Sequence, residues 1–140
     1  MSERGLRLAT AVLALVGMGI AAYLTYVHYS GAAIACTTGG CEKVQTSSYA
    51  ELAGIPVAVI GLVGYVLILL TVFVAGEVGA VAAVGLTLGG FAFAAYLIYV
   101  QVALIDALCI WCLASDAVLA LLVLVSLLRL RAVARPAQTA

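Results

Sequence analysis

Charge is scarce in this chain of 140 residues: six Lys and Arg stand against six Asp and Glu, 9% of the sequence, with no formal net charge. That excludes the basic surface a nucleic-acid partner requires. It also excludes an ordinary soluble globule, because 67% of the residues are hydrophobic, too many for the water-facing surface of one small domain. Histidine occurs once; His28 stands at a predicted helix end, reads as an interfacial residue and adds nothing to a metal-ligand set. The length gives room for one domain, residues 1–140, and the composition demands a membrane.

What is present in quantity is uncharged, apolar sequence. A helix needs roughly 20 apolar residues to cross the hydrocarbon core at about 1.5 Å of rise each. Residues 8–27, 52–76 and 78–105 carry no charge, and residues 107–128 are interrupted only by Asp116. The expected fold is an all-α integral membrane bundle of four transmembrane helices, at about 8–28, 54–76, 79–105 and 108–130. The first run follows Arg4 and Arg7 as a signal peptide would. Its apolar stretch is too long for one and lacks a tidy small-x-small cleavage site, so it is expected to stay as a signal anchor.

Orientation follows from the basic residues. Arg4 and Arg7 precede the first run, and Arg129, Arg131 and Arg135 follow the last. Arginine flanking membrane spans is held on the cytoplasmic side, which places both termini inside. The turn around Glu77 is then cytoplasmic, while a loop over residues 29–53 and the short turn near Asp106 lie outside. Tyr23, Tyr26, Tyr29, Tyr96, Tyr99 and Trp111 suit an outer aromatic belt. Ser48 and Glu51 have the spacing of a capping box, which predicts a short surface helix starting at residues 49–53. Gly61 and Gly64, and Gly85 and Gly89, read most simply as close helix packing.

This topology collects all four cysteines on the outer face, the oxidising side of a plasma or ER membrane. Cys36 and Cys41 lie in the outer loop; Cys109 and Cys112 lie at the start of the fourth helix. Residues three apart on a helix have Cβ atoms roughly 5–6 Å apart, within reach of a disulfide after small adjustment. The helix N-terminus favours a thiolate, the species that attacks disulfides. The loop pair encloses only Thr-Thr-Gly-Gly, so its disulfide would add modest stability, which favours a pair that opens and closes over a staple. Two other readings stay open on spacing alone: inert disulfides, and a tetrahedral zinc site of four thiolates.

The run Cys41-Glu-Lys-Val-Gln-Thr-Ser47-Ser-Tyr49-Ala50, followed by Gly54-Ile55-Pro56, Gly61 and Tyr65, resembles the loop and second helix of the vitamin K epoxide reductase family. Cys109-Ile-Trp111-Cys112 with Ser115 resembles the redox motif of its bacterial members. The likeness covers about residues 10–130, motif order included. That order differs from DsbB, another four-helix quinone-linked thiol oxidase, whose C-x-x-C lies in the first outer loop and whose spaced pair lies in a longer second one.

The resemblance implies an electron relay from thiols to a membrane quinone (menaquinone, ubiquinone or vitamin K) without a metal. Cys36 would exchange with a separate thioredoxin-like (DsbA-like) protein, with Cys41 as its mate. Cys41 would pass electrons to Cys109, and Cys112, deeper in the bilayer, would face the quinone. Ser47, adjacent to Cys41, would orient that thiol or lie over the quinone with Tyr49. Val57 stands where the animal enzymes carry a quinone-binding asparagine, and valine donates no hydrogen bond. Asp116 stands where they carry a tyrosine; a carboxyl at i+4 from Cys112 faces a cavity as a proton donor or pocket residue, or bonds a neighbouring helix.

The expected function is oxidation of that thiol carrier in support of disulfide formation outside the cytoplasm, in a cell membrane whose arginine-rich, lysine-poor, alanine-heavy protein leans prokaryotic. The alternatives are reduction of vitamin K epoxide in an ER membrane and, from another class, a non-catalytic membrane protein with a structural disulfide or zinc cluster.

Overall fold

A computed structural model describes residues 2–31 and 40–134. The first helix, α1 (Glu3–Ser30), opens at Ser2, whose hydroxyl accepts from the Gly5 N–H at 3.2 Å. It closes at Gly31, left-handed at φ 70°, whose N–H reaches the Val27 carbonyl, the usual glycine stop. A short helix α2 (Cys41–Thr46) and one 3₁₀ turn (Ser48–Ala50) follow. Strands β1 (Glu51–Leu52) and β2 (Ile55–Pro56) then pair antiparallel, with Glu51 opposite Pro56. Helix α3 (Val57–Leu70) is extended by a 3₁₀ turn to Phe73. Helix α4 (Gly76–Tyr99) runs into a π-helical turn (Val100–Ile105), and α5 (Ile110–Ala134) completes the bundle.

Two expectations change here. The Ser48–Glu51 capping box does not form, because Glu51 begins a strand and the short helix lies earlier, over Cys41–Thr46. Ala53 and Gly54 have φ of 55° and 82°, the positive values of a two-residue hairpin turn, and that turn takes residues 51–56 into a hairpin. The second apolar helix is consequently shorter than 54–76. Its apolar stretch is Val57–Phe73, whereas Glu3–Ser30, Gly76–Ile105 and Ile110–Ala134 are each long and apolar enough to cross a membrane.

The packing is that of a protein solvated by lipid. Large side chains such as Leu8 (66% exposed) and Val78 (74%) face outward, while Thr10, Ala14, Ala80, Ala83, Thr87 and Ser126 are buried. Apolar surface gains nothing by leaving lipid, so small residues that let helices approach closely occupy the inside. Thr10 and Thr87 donate to the carbonyls of Leu6 and Ala83 in their own helices, at 2.9 and 2.8 Å. Helix α1 packs along α3 and α5, and α4 along α5. At their centre Ala14, Ala21, Tyr65, Ile68, Val118 and Leu122 form one core, with the Tyr65 ring against the bare face of Gly17.

One end of the bundle is held by arginine. Arg129 is fully buried rather than a flanking charge. It donates through Nη1 to the Thr71 carbonyl at 3.2 Å and through Nη2 to the Val74 carbonyl at 2.7 Å. Arg7 Nε donates to the Val72 carbonyl at 2.7 Å. The last carbonyls of a helix lack intrahelical partners, and in lipid no water replaces them; two guanidinium groups meet that need. Glu3 lies 3.8 Å from Arg129 and accepts from the Gly76 N–H. Arg129→Leu is expected to cost about 1–3 kcal/mol by orphaning the Val74 carbonyl, since the Thr71 carbonyl keeps the Val74 N–H. Thermal unfolding in detergent should show a midpoint well below that of the wild type, and an unchanged midpoint would refute this role.

Candidate redox site

The opposite end carries the cysteines, and the junction of α4 with α5 positions two of them. The π turn widens the end of α4, and Asp106 stops it in a left-handed conformation at φ 58°, ψ 40°, which Asp tolerates better than most residues. The Gln101 carbonyl accepts from the Ala107 N–H at 3.0 Å, and the Gln101 side-chain Oε1 accepts from the Cys109 N–H at 2.9 Å. Cys109 stands just before α5 as its cap, its carbonyl receiving the Leu113 N–H at 3.0 Å. Its Sγ accepts from the Cys112 N–H at 3.5 Å, the bond a capping side chain makes to the third helical residue. A sulfur in that position gains from the partial positive charge of the helix start when it ionises.

The loop segment delivers Cys41 to the same place. Cys41 and Cys109 are both fully buried, in one cluster with Val44, Val100 and Ile105. Ala107, Ile110, Trp111 and Cys112 pack against that cluster. Gly40 permits the approach: a side chain there would strike the Leu108 backbone. The residues preceding Cys41 and Cys109 therefore press main chain against main chain. Trp111 reaches across to α1, its ring 4.7 Å from that of Tyr23, and His28 at the end of α1 lies 3.4 Å from the Glu51 carboxylate of the hairpin.

Cys112 faces a different environment. It lines a cavity of about 420 Å³ bordered by α1, α3, α4 and α5, with α2 and the 3₁₀ turn over one end, within the range of sites for small organic ligands. Ser47, Tyr49, Val57 and Asp116 line the same cavity, so the structure gathers these four around Cys112. The Ser47 hydroxyl donates to the Val44 carbonyl at 2.7 Å. Asp116 Oδ2 is buried without a hydrogen-bond partner, a carboxylate oxygen available to whatever enters. Beside it the Tyr65 hydroxyl donates to the Ser115 carbonyl at 2.9 Å and lies 2.6 Å from Ser115 Oγ, which ties α3 to α5 one turn below Cys112. Cys36 lies outside the described residues.

The glycines correct a further expectation. Gly61, Gly64, Gly85 and Gly89 have no atom within 4 Å of where a side chain would begin, and all four line the cavity. They hollow its walls in α3 and α4 instead of packing helix on helix. Small residues at that spacing look alike in either role. Sequence reasoning also missed Gln101, which lines the cavity and is only 2% exposed. Its signal was available: it is the single carboxamide in the four apolar runs, and a polar side chain at membrane depth is costly unless it has a task.

The model of the vitamin K epoxide reductase family matches residues 8–127. The chain belongs to that family. Membership carries a redox function of the thiol-oxidoreductase and quinone-reductase kind, and with three long apolar helices it makes the chain an integral membrane protein. In this family member the buried meeting of Cys41 with Cys109 depends on the bare face of Gly40. Gly40→Ala is expected to lower the oxidative cross-linking of Cys41 to Cys109 by about tenfold, the effect of roughly 1.4 kcal/mol. Mass spectrometry in a Cys36→Ala/Cys112→Ala background measures the yield, and an undiminished yield would show that the loop docks by other contacts.

Proposed function

We propose that this protein oxidises a separate thioredoxin-like protein on the extracytoplasmic side of a prokaryotic cell membrane and passes the electrons to a membrane quinone. The observation that carries this reading is the division of the cysteines between two environments. Cys41 and Cys109 are buried in one cluster, while Cys112 lines the cavity. A protein substrate arrives from water and a quinone arrives from lipid, so the relay must pass between such environments.

The proposed sequence conserves electrons at each step. The partner's dithiol attacks the Cys36–Cys41 disulfide and leaves oxidised, with both loop cysteines reduced. The Cys41 thiolate then attacks Cys109 in the Cys109–Cys112 disulfide; the Cys41–Cys109 bond forms as the Cys109–Cys112 bond breaks, and Cys112 departs as a thiolate. Cys36 attacks Cys41, which restores the loop disulfide and frees Cys109. The Cys109–Cys112 pair returns to a disulfide by giving two electrons to the quinone, which takes up two protons and leaves as quinol.

The cavity fits such a substrate. It is mostly apolar, its glycine-hollowed walls leave room for a flat ring, and it brings Cys112 and the unpartnered Asp116 oxygen to one surface. Val57 supplies only apolar contact, so polar contacts come from side chains such as Asp116, Ser47 and Tyr49, with Asp116, one turn beyond Cys112, as the proton source.

Two measurements test the reading. In steady-state assays, Cys36→Ala is expected to lose turnover with a reduced thioredoxin-like protein by at least about a thousandfold, as when a nucleophile is removed. A small dithiol that reaches Cys41 directly should still be oxidised by that variant. Equal loss with both reductants would contradict the order of the relay, and wild-type protein that consumes no quinone with either would sink the function. Gly85→Leu adds a side chain into open space and should raise the KM for quinone by about tenfold while the protein stays folded. An unchanged KM would place the quinone elsewhere.

A further inference from the structure

We infer that Gln101 is the positioning residue for Cys109, holding that sulfur in line for attack by Cys41; the inference rests on the relay proposed above. Three observations converge on it. Gln101 sits in the π turn that ends α4, and π turns inside α-helices occur frequently at functional sites. It is almost fully buried. Both of its oxygens serve the same short connection: the main-chain carbonyl holds Ala107, and the side-chain Oε1 holds the Cys109 N–H.

That second bond has a mechanical meaning. Cys109 precedes the first residue of α5, so its N–H has no carbonyl inside that helix to receive it. Gln101 Oε1 supplies an acceptor for this buried N–H, and that bond ties the turn at Cys109 to the end of α4. With Gln101 the backbone of Cys109 is pinned from one side and its Sγ is held by the Cys112 N–H from the other. The sulfur is left facing the buried cluster that contains Cys41. Thiol–disulfide exchange displaces one sulfur along the line of attack of another, so fixing the central sulfur raises the fraction of encounters that react.

Gln101 also lines the cavity, which gives a rival role as a direct quinone contact. The two roles separate kinetically. In Gln101→Leu the transfer from Cys41 to Cys109 should slow by about tenfold or more, the consequence of losing a buried hydrogen bond that holds the Cys109 backbone. The transfer is followed by mixing oxidised protein with a reduced thioredoxin-like partner and trapping thiols at intervals. The KM for quinone should change by less than about twofold, since positioning acts on the exchange step. Gln101→Glu should rescue exchange at acid pH, where the protonated carboxyl still presents an acceptor oxygen. It should lose exchange as pH rises, because a carboxylate beside Cys109 opposes the thiolate. The other titratable groups facing this site, Cys41, Cys112 and Asp116, are common to all three proteins and cancel in the ratio to wild type.

A third readout needs no turnover. In the reduced protein, labelling of the buried Cys109 by a small methanethiosulfonate should be about tenfold faster in Gln101→Leu, because the turn is loosened. Should wild-type protein fail to oxidise thiols with quinone, the proposed function falls, and this labelling still shows whether Gln101 fixes Cys109. A raised quinone KM with unchanged exchange would make Gln101 a quinone ligand and overturn the inference. Exchange and labelling within twofold of wild type, per folded molecule, would overturn it as well.

Discussion

A bilayer offers neither water for stray polar groups nor a hydrophobic reward for bringing apolar faces together, and this bundle is organised by both deficits. Leucines and valines are left to the lipid, while glycine, alanine, threonine and serine occupy the contacts between helices. The few strongly polar side chains inside each answer a backbone need that water would meet elsewhere. Arg129 and Arg7 complete the carbonyls at the end of α3. Gln101 completes the N–H of Cys109, the residue just before α5. Tyr65 spends its hydroxyl on Ser115. Asp116 Oδ2, like Ser126 Oγ, is a buried oxygen with no such duty, and of the two only Asp116 lines the cavity.

The gathering of Cys41, Cys109 and Cys112 was legible from hydropathy alone. Uncharged runs of bilayer length, taken with the basic residues at the two ends, leave little choice about which turns share a face. That Cys41 shares a buried cluster with Cys109 while Cys112 lines the cavity could not be read from hydropathy, because side-chain direction at a helix start depends on how the preceding turn enters. That turn contains a π-helical stretch and a left-handed Asp106, neither of which has a periodicity to read. Gly61, Gly64, Gly85 and Gly89 misled for a plain reason: absence of a side chain permits close packing and open space equally, and only the neighbouring helix decides. Ser48 and Glu51 misled because capping spacing is satisfied by chance in polar loops. A hairpin with positive φ at Ala53 and Gly54 competes for the same residues. Arg129 was counted as a flanking charge because the count ignores which way a side chain points.

The site's geometry divides labour along one helix. Within a single turn of α5, Cys109 is sealed in a dry contact with the cap and Cys112 opens onto the cavity. A thiolate formed in that turn benefits from the helix start whichever sulfur carries it. The Tyr65–Ser115 link and the Gly40–Leu108 contact fix this turn from below and above, so the two environments stay separate although their cysteines are only three residues apart.

The π turn at Val100–Ile105 has a consequence for how this segment tolerates change in length. A π turn holds one residue more than the α turn it replaces, so losing a single residue there would restore ordinary α geometry. The phase between Gln101 and everything after it would then shift by about 100° around the helix axis. Elsewhere in a long lipid-facing helix such a slip exchanges one apolar residue for another. Here it turns the carboxamide away from Cys109 and carries the start of α5 with it. Residues 100–105 therefore act as a ruler between two helices, and the spacing they set matters more than the side chains that fill it.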